Sequence, residues 1–160
     1  MAEAPPAGFT GGFGEASCVT CHVGSDENAF GGSVRIEGLP HAFEPGVTYL
    51  LTVVLAADET AVAGFQLSAR FEEDGVDAGG LHAVDARTAR SDSAGTSYMH
   101  HSRVGSITHD PSGSSWSVRW TAPRSSRAVA FHVAANSGNG DNSPLGDLVY
   151  TEAAVVPPGQ

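Results

Sequence analysis

The chain has 160 residues, 41% hydrophobic and 16% charged. It is long enough for one domain with its own core, too apolar for a disordered tail and too polar for a membrane bundle. Eight basic residues against 18 acidic ones give a formal charge of −10. Every basic residue is an arginine, which excludes a lysine Schiff base and a P-loop lysine. No basic excess is present to displace counterions, so a nucleic-acid partner is not expected.

The 20 glycines and 9 prolines point to turns, and hence to β structure. Residues 1–32 read as an arm: small and polar, with isolated aromatics at Phe9, Phe13 and Phe30 and no helical or strand period. The start of the arm has neither a basic region nor an apolar run, so it does not read as a signal peptide. Strands are expected from residue 33 to 156. Val34 and Ile36 share a face over 33–37. After the Glu44-Pro45-Gly46 turn, residues 47–56 are apolar enough for a central strand. Phe65, Leu67, Ala69 and Phe71 alternate over 63–71. The stretch 81–96 is polar and reads as a loop or a short edge strand. Trp116, Val118 and Trp120 share the face of another strand. Val129, Phe131 and Val133 line up over 128–135, and a last strand covers 148–156. The longest apolar run, 49–57, is too short to span a bilayer. Six or seven short strands with no convincing helix predict an all-β, Ig-like antiparallel sandwich. Pro157-Pro158-Gly159 opens a tail or linker over 157–160.

The chemistry-bearing motif is Cys18-Val19-Thr20-Cys21-His22. Cys-x-x-Cys-His is the attachment signature of c-type haem. Two thiols add across the two vinyl groups, and the next side chain supplies an imidazole to the iron. Cys18 and Cys21 are therefore the expected thioether positions of one haem c, with His22 the proximal ligand. A Cys18–Cys21 disulfide would close too short a loop, and a thioredoxin-like pair would want a βαβ context. The rival is a zinc site of Cys18, Cys21, His22 and a distant histidine. Haem attachment happens outside the cytoplasm, so this reading implies export. The arm is expected to lay its haem on the sandwich and to need the haem for order.

For the sixth ligand, Tyr98-Met99-His100-His101 stands out, in a segment expected to be a loop. Position alone does not separate Met99, His100 and His101. His132 reads as solvent-facing or locally bonded, and His41 and His109 as surface residues. The loop 136–147 reads as turn chemistry, with calcium binding the alternative. Arg35 and Arg103 are candidates to pair with the haem propionates.

Several segments together resemble the bacterial choice-of-anchor V domain, itself similar to the reeler domain of animal surface proteins. They are Gly8-Phe9-Thr10-Gly11, Gly14-Glu15, Gly32-Ser33-Val34, Gly38-Leu39-Pro40 and Pro45-Gly46-x-Thr48-Tyr49. The later ones are Gly64-Phe65-Gln66-Leu67, Tyr98-x-x-His101, Trp116-x-x-x-Trp120-Thr121-Ala122-Pro123, Asn136-x-x-Asn139-Gly140-Asp141 and Gly146-Asp147. The resemblance implies a reeler-like sandwich in an exported cell-envelope module, with an anchoring tail following it. It also singles out His101, the histidine of Tyr-x-x-His, over His100, and so implies His22/His101 ligation. His132 falls where a tyrosine is expected. The function expected is an exported monohaem c-type cytochrome acting as an electron carrier rather than an enzyme, its acidic surface suited to a basic redox partner. The alternatives are a surface interaction or adhesion module with a structural haem or zinc site, and a haem-based sensor or peroxidase.

Overall fold

In the computed structural model, which describes residues 4–160, nine strands carry the chain from Gly32 to Val156. They are β1 (Gly32–Glu37), β2 (Thr48–Ala57), β3 (Val62–Phe71), β4 (Gly80–Ala83), β5 (Thr88–Ser93), β6 (Thr96–His101), β7 (Gly113–Thr121), β8 (Val129–Gly138) and β9 (Leu148–Val156). Among the described residues the one helical element is a 3-10 turn, Cys18–Thr20. The strands form two antiparallel sheets, ordered β1-β2-β7-β4 and β5-β6-β3-β8-β9.

Alternation along the strands decides what lies between the sheets. Leu51, Val53 and Leu55 of β2 and Trp116, Val118 and Trp120 of β7 meet Phe65, Leu67 and Ala69 of β3 and Val129, Phe131 and Val133 of β8. Phe65 packs on Trp116 with ring centroids 4.7 Å apart, and Trp120 meets Phe131 edge-on at 4.8 Å. Both indole N–H groups are satisfied, donating to the Gly105 and Ala78 carbonyls at 2.8 and 2.9 Å.

The stretch expected as a loop or a short edge strand holds β4 and β5, and the Tyr98–His101 segment expected as a loop lies in β6. β4 and β5 are polar because they are short edge strands; β4 pairs with distant β7, whereas β5 forms a tight hairpin with its neighbour β6. Met99 therefore sits in a strand, wholly buried in the core. A thioether packed there is unavailable to a surface metal, which removes Met99 as a sixth-ligand candidate.

The arm also departs from expectation. Strand β3 is buried on both faces, although Gly64, Gln66, Ser68 and Arg70 look like a solvent face. The arm covers them. The Phe9 N–H donates to the Gln66 side chain at 2.7 Å, and Gln66 donates back to the Pro6 carbonyl at 2.9 Å. Gly12 lies so close to His132 that a Cβ there would be 2.3 Å from the ring, so only glycine permits this approach. Phe13 meets the same ring edge-on at 5.1 Å. His132 is thus half-buried under the arm, not solvent-facing, and its Nδ1 has no hydrogen-bond partner among the described residues. These contacts seat this part of the arm as a third layer on the sandwich.

The clasp is polar. Arg70, 6% exposed, pairs with Glu15, and Tyr98 donates to the same Glu15 oxygen at 2.5 Å. Thr10 Oγ1 donates to the other carboxylate oxygen at 2.7 Å. Burial alone would raise Glu15, but the hydrogen bonds from Tyr98, Arg70 and Thr10 outweigh it and hold the carboxyl below its usual range. Burial and the Glu15 contact together push the Tyr98 phenol up to about 12. At the other end, residues 157–159 run beside Phe43, whose N–H donates to the Pro157 carbonyl at 2.9 Å.

Candidate haem-binding site

Ser17 to His22 coil into a single turn. The Cys18 carbonyl accepts from the Cys21 N–H at 3.2 Å and from the His22 N–H at 2.9 Å. One turn of backbone therefore carries both thiols and the imidazole. Cys18 and Cys21 are free thiols, the first half-buried and the second exposed. Loss of solvent pushes the Cys18 thiol up to about 12, so it is protonated at neutral pH. The turn is closed by Ser17, whose hydroxyl donates to Glu27.

The turn is fastened to the β8–β9 loop. The Val23 N–H donates to the Pro144 carbonyl and the Gly146 N–H to the Val23 carbonyl, both at 2.9 Å. The next residue on each side makes the contact that matters. His22 Nδ1 lies 2.5 Å from Oδ2 of Asp147, a carboxylate only 5% exposed. With Nδ1 engaged, Nε2 is the nitrogen left for a metal. Further along, Asn28 accepts from the Thr151 N–H at 2.8 Å and covers the β9 edge.

His101 ends β6. The β3–β6 ladder stops at the pairs Gln66–His100 and Leu67–Met99, and the His101 ring fills the gap beyond. Its Nδ1 is 3.1 Å from the Phe65 N–H, as acceptor, and 3.4 Å from the Phe65 carbonyl, so either neutral tautomer is accommodated. Burial pushes the imidazole down to about 4; the Phe65 carbonyl opposes the shift, and His100 and His22 reinforce it. His101 is therefore neutral at pH 7, the form that binds iron, and it lies within electrostatic reach of His22. His100 is buried too, with Nδ1 2.8 Å from the His101 carbonyl. Gly64 leaves the room that the His101 ring occupies, since a Cβ there would be 2.5 Å from Cε1. Replacing Gly64 with alanine should displace the ring and destabilise the chain by about 1–3 kcal/mol, read by thermal unfolding. An unchanged melting temperature would mean the ring does not hold this place.

Exposed apolar side chains gather near Asp147. Val23 bridges to Leu145 and Val62 to Ile107, and all four are exposed. Val62 Cγ2 and Asp147 Oδ1 lie 2.7 and 3.4 Å from one and the same point, where Gly138 would carry a Cβ. An apolar rim therefore lies beside the turn that carries both thiols and His22, and Cys18, Cys21, His22 and His101 are the residues that would hold a haem c. Among the described residues no three His, Cys, Asp or Glu side chains group as a metal site, so the four-ligand zinc set is not assembled.

The other sequence candidates are elsewhere. His41, His82 and His109 are exposed, and Arg35 pairs with Glu37 at 2.8 Å. The loop 139–145 spends its polar atoms on itself, with Asp141 Oδ1 accepting from the Ser143 N–H at 2.7 Å and Asn139 Oδ1 from the Asp141 N–H at 3.0 Å. That is the turn chemistry expected of it. Asp147 and the Glu15–Arg70 pair were missed. The signals were an acid directly after a glycine, in Gly146-Asp147 and Gly14-Glu15, and a lone arginine on the polar face of a strand.

The two-sheet order defines a reeler-like β-sandwich. The chain is similar to the Reelin-N domain of F-spondin, with a TM-score of 0.57 and 19% identity over 89% of this chain and 96% of that one. The human F-spondin reeler domain gives 0.56 and 20%, covering 85% and 94%. A cohesin module from a Clostridium perfringens family 33 glycoside hydrolase gives 0.52 and 12%, covering 82% and 98%. No protein-family model matches the chain, and comparison with curated sequences finds no match. No helix among the described residues is long and apolar enough to cross a membrane.

Proposed function

We propose that the chain is an exported monohaem c-type cytochrome built on a reeler-like sandwich, passing electrons to a redox partner. Cys18 and Cys21 would hold the haem by thioether bonds, and His22 and His101 would supply nitrogen ligands to its iron. The observation that carries the reading is the pairing of His22 Nδ1 with buried Asp147, which leaves Nε2 for a metal on the same turn that carries both thiols. A haem bound there would supply one-electron chemistry. The protein's part is to hold both rings and to present an acidic surface that steers a basic partner. The resemblance to choice-of-anchor V domains supports export and an anchoring tail.

The fold likeness supports a second reading more directly than it supports electron transfer. Reeler domains are surface modules, and on that reading this is an interaction or adhesion module in which His22–Asp147 only fastens the arm. An oxidised and reduced visible spectrum decides, taken on chain exported through a c-type maturation system. A low-spin haem c spectrum indifferent to carbon monoxide supports the cytochrome. Ready reaction with carbon monoxide or peroxide points to a sensor or peroxidase. A colourless protein with free thiols leaves the surface module.

A further inference from the structure

We propose that Asp147 is the positioning residue of the axial ligand His22: it fixes the ring in the tautomer that offers Nε2 and makes that imidazole electron-rich. The inference rests on the haem reading above. The contact is set by the backbone, not by a chance meeting of side chains. Val23 and Gly146, the neighbours of His22 and Asp147, are hydrogen-bonded to each other, so the two functional residues are delivered side by side. The carboxylate is held from both ends. Its Oδ2 faces His22 at 2.5 Å and its Oδ1 accepts the Asn139 N–H at 3.2 Å. The loop behind it is rigid by its own bonding, with Leu145 N–H on Ser143 Oγ at 3.1 Å and Asn139 Nδ2 on the Leu145 carbonyl at 3.3 Å.

A structural clasp does not need a buried carboxylate. A neutral acceptor would hold the ring without the cost of desolvating a charge. A carboxylate on the far nitrogen does something a carbonyl does less well: it raises the basicity of the ligand. A more basic axial imidazole, with a negative charge beside it, favours the ferric over the ferrous state. Asp147 therefore lowers the reduction potential of this site.

The test is Asp147→Asn in the haem-loaded protein, read by midpoint potential and visible spectrum. The expected variant is red and low-spin, with its reduced-to-oxidised ratio at fixed ambient potential raised about tenfold, a shift of about 59 mV for one electron. Asp147→Glu should return the potential part of the way. A low-spin Asp147→Asn protein with an unchanged potential overturns the proposal while leaving the haem reading standing. A wild-type chain that matures colourless overturns both. A measurement without any variant guards against misfolding: in ferrous wild-type protein with 15N-labelled histidine, the His22 Nδ1 proton should be downfield and slow to exchange. A His22 proton exchanging as fast as that of exposed His41 overturns the proposal.

Discussion

Replacing His101 with alanine should turn a six-coordinate haem protein into a five-coordinate one. The reduced variant should bind carbon monoxide that the wild type excludes, and the oxidised spectrum should move from low to high spin. Two structural costs accompany the change. The ring's hydrogen bond to the Phe65 backbone is lost in a buried place, worth about 1–3 kcal/mol, and the ring leaves a cavity. His101→Met separates these effects from ligation, because a thioether restores six-coordination and raises the potential. If the alanine variant stays low-spin, His101 is not the ligand, and buried His100 becomes the residue to test.

Breaking the arm's clasp should have the largest effect on stability. Glu15→Ala leaves Arg70 charged and 6% exposed beneath residues 9–13, and Tyr98 loses its acceptor. Removing one member of a buried pair costs about 3–5 kcal/mol. Urea unfolding should show this loss, and native-state hydrogen exchange should show deprotection over residues 9–17. The pair also sets an acid limit. The Glu15 carboxyl is held below the ordinary value of 4.5, so the unfolded chain takes up its proton first as pH falls. The stabilisation is complete above about pH 4.5 and is lost as pH drops through the lower folded value. Glu15→Gln should flatten the stability profile below about pH 4.5. A wild-type profile already flat there would mean that the carboxylate is not the group clasped.

How far the sequence reaches depends on the range of each contact. The strands carrying Trp116–Trp120 and Val129–Val133 are legible because alternation is local and their neighbours punctuate them with Pro and Gly. Strands β4 and β5 are only half legible, as a loop or a short edge strand, because a polar edge strand has little signature of its own; β6, expected as a loop, becomes a strand through its pairing with β5 and β3. The cysteine motif declares itself within five residues. Its supports do not. Glu15 finds Arg70 55 residues away, and the third layer that residues 9–13 add over β3 cannot be read from an alternation that looks solvent-facing. His101 was reached through a family pattern; what the fold adds is the reason it fits, the gap where the β3–β6 ladder ends above Gly64.

The His22–Asp147 contact spans 125 residues of chain, nearly from one end to the other. Such a loop closes late, since its entropy is offset only once the intervening strands are in place. During synthesis the cysteine turn emerges well before the carboxylate that will grip it. The turn is therefore open to modification for as long as the final hairpin is unmade, and it is locked once β8 and β9 have paired. The order of the sequence doubles as an order of assembly: the turn first, then its clasp.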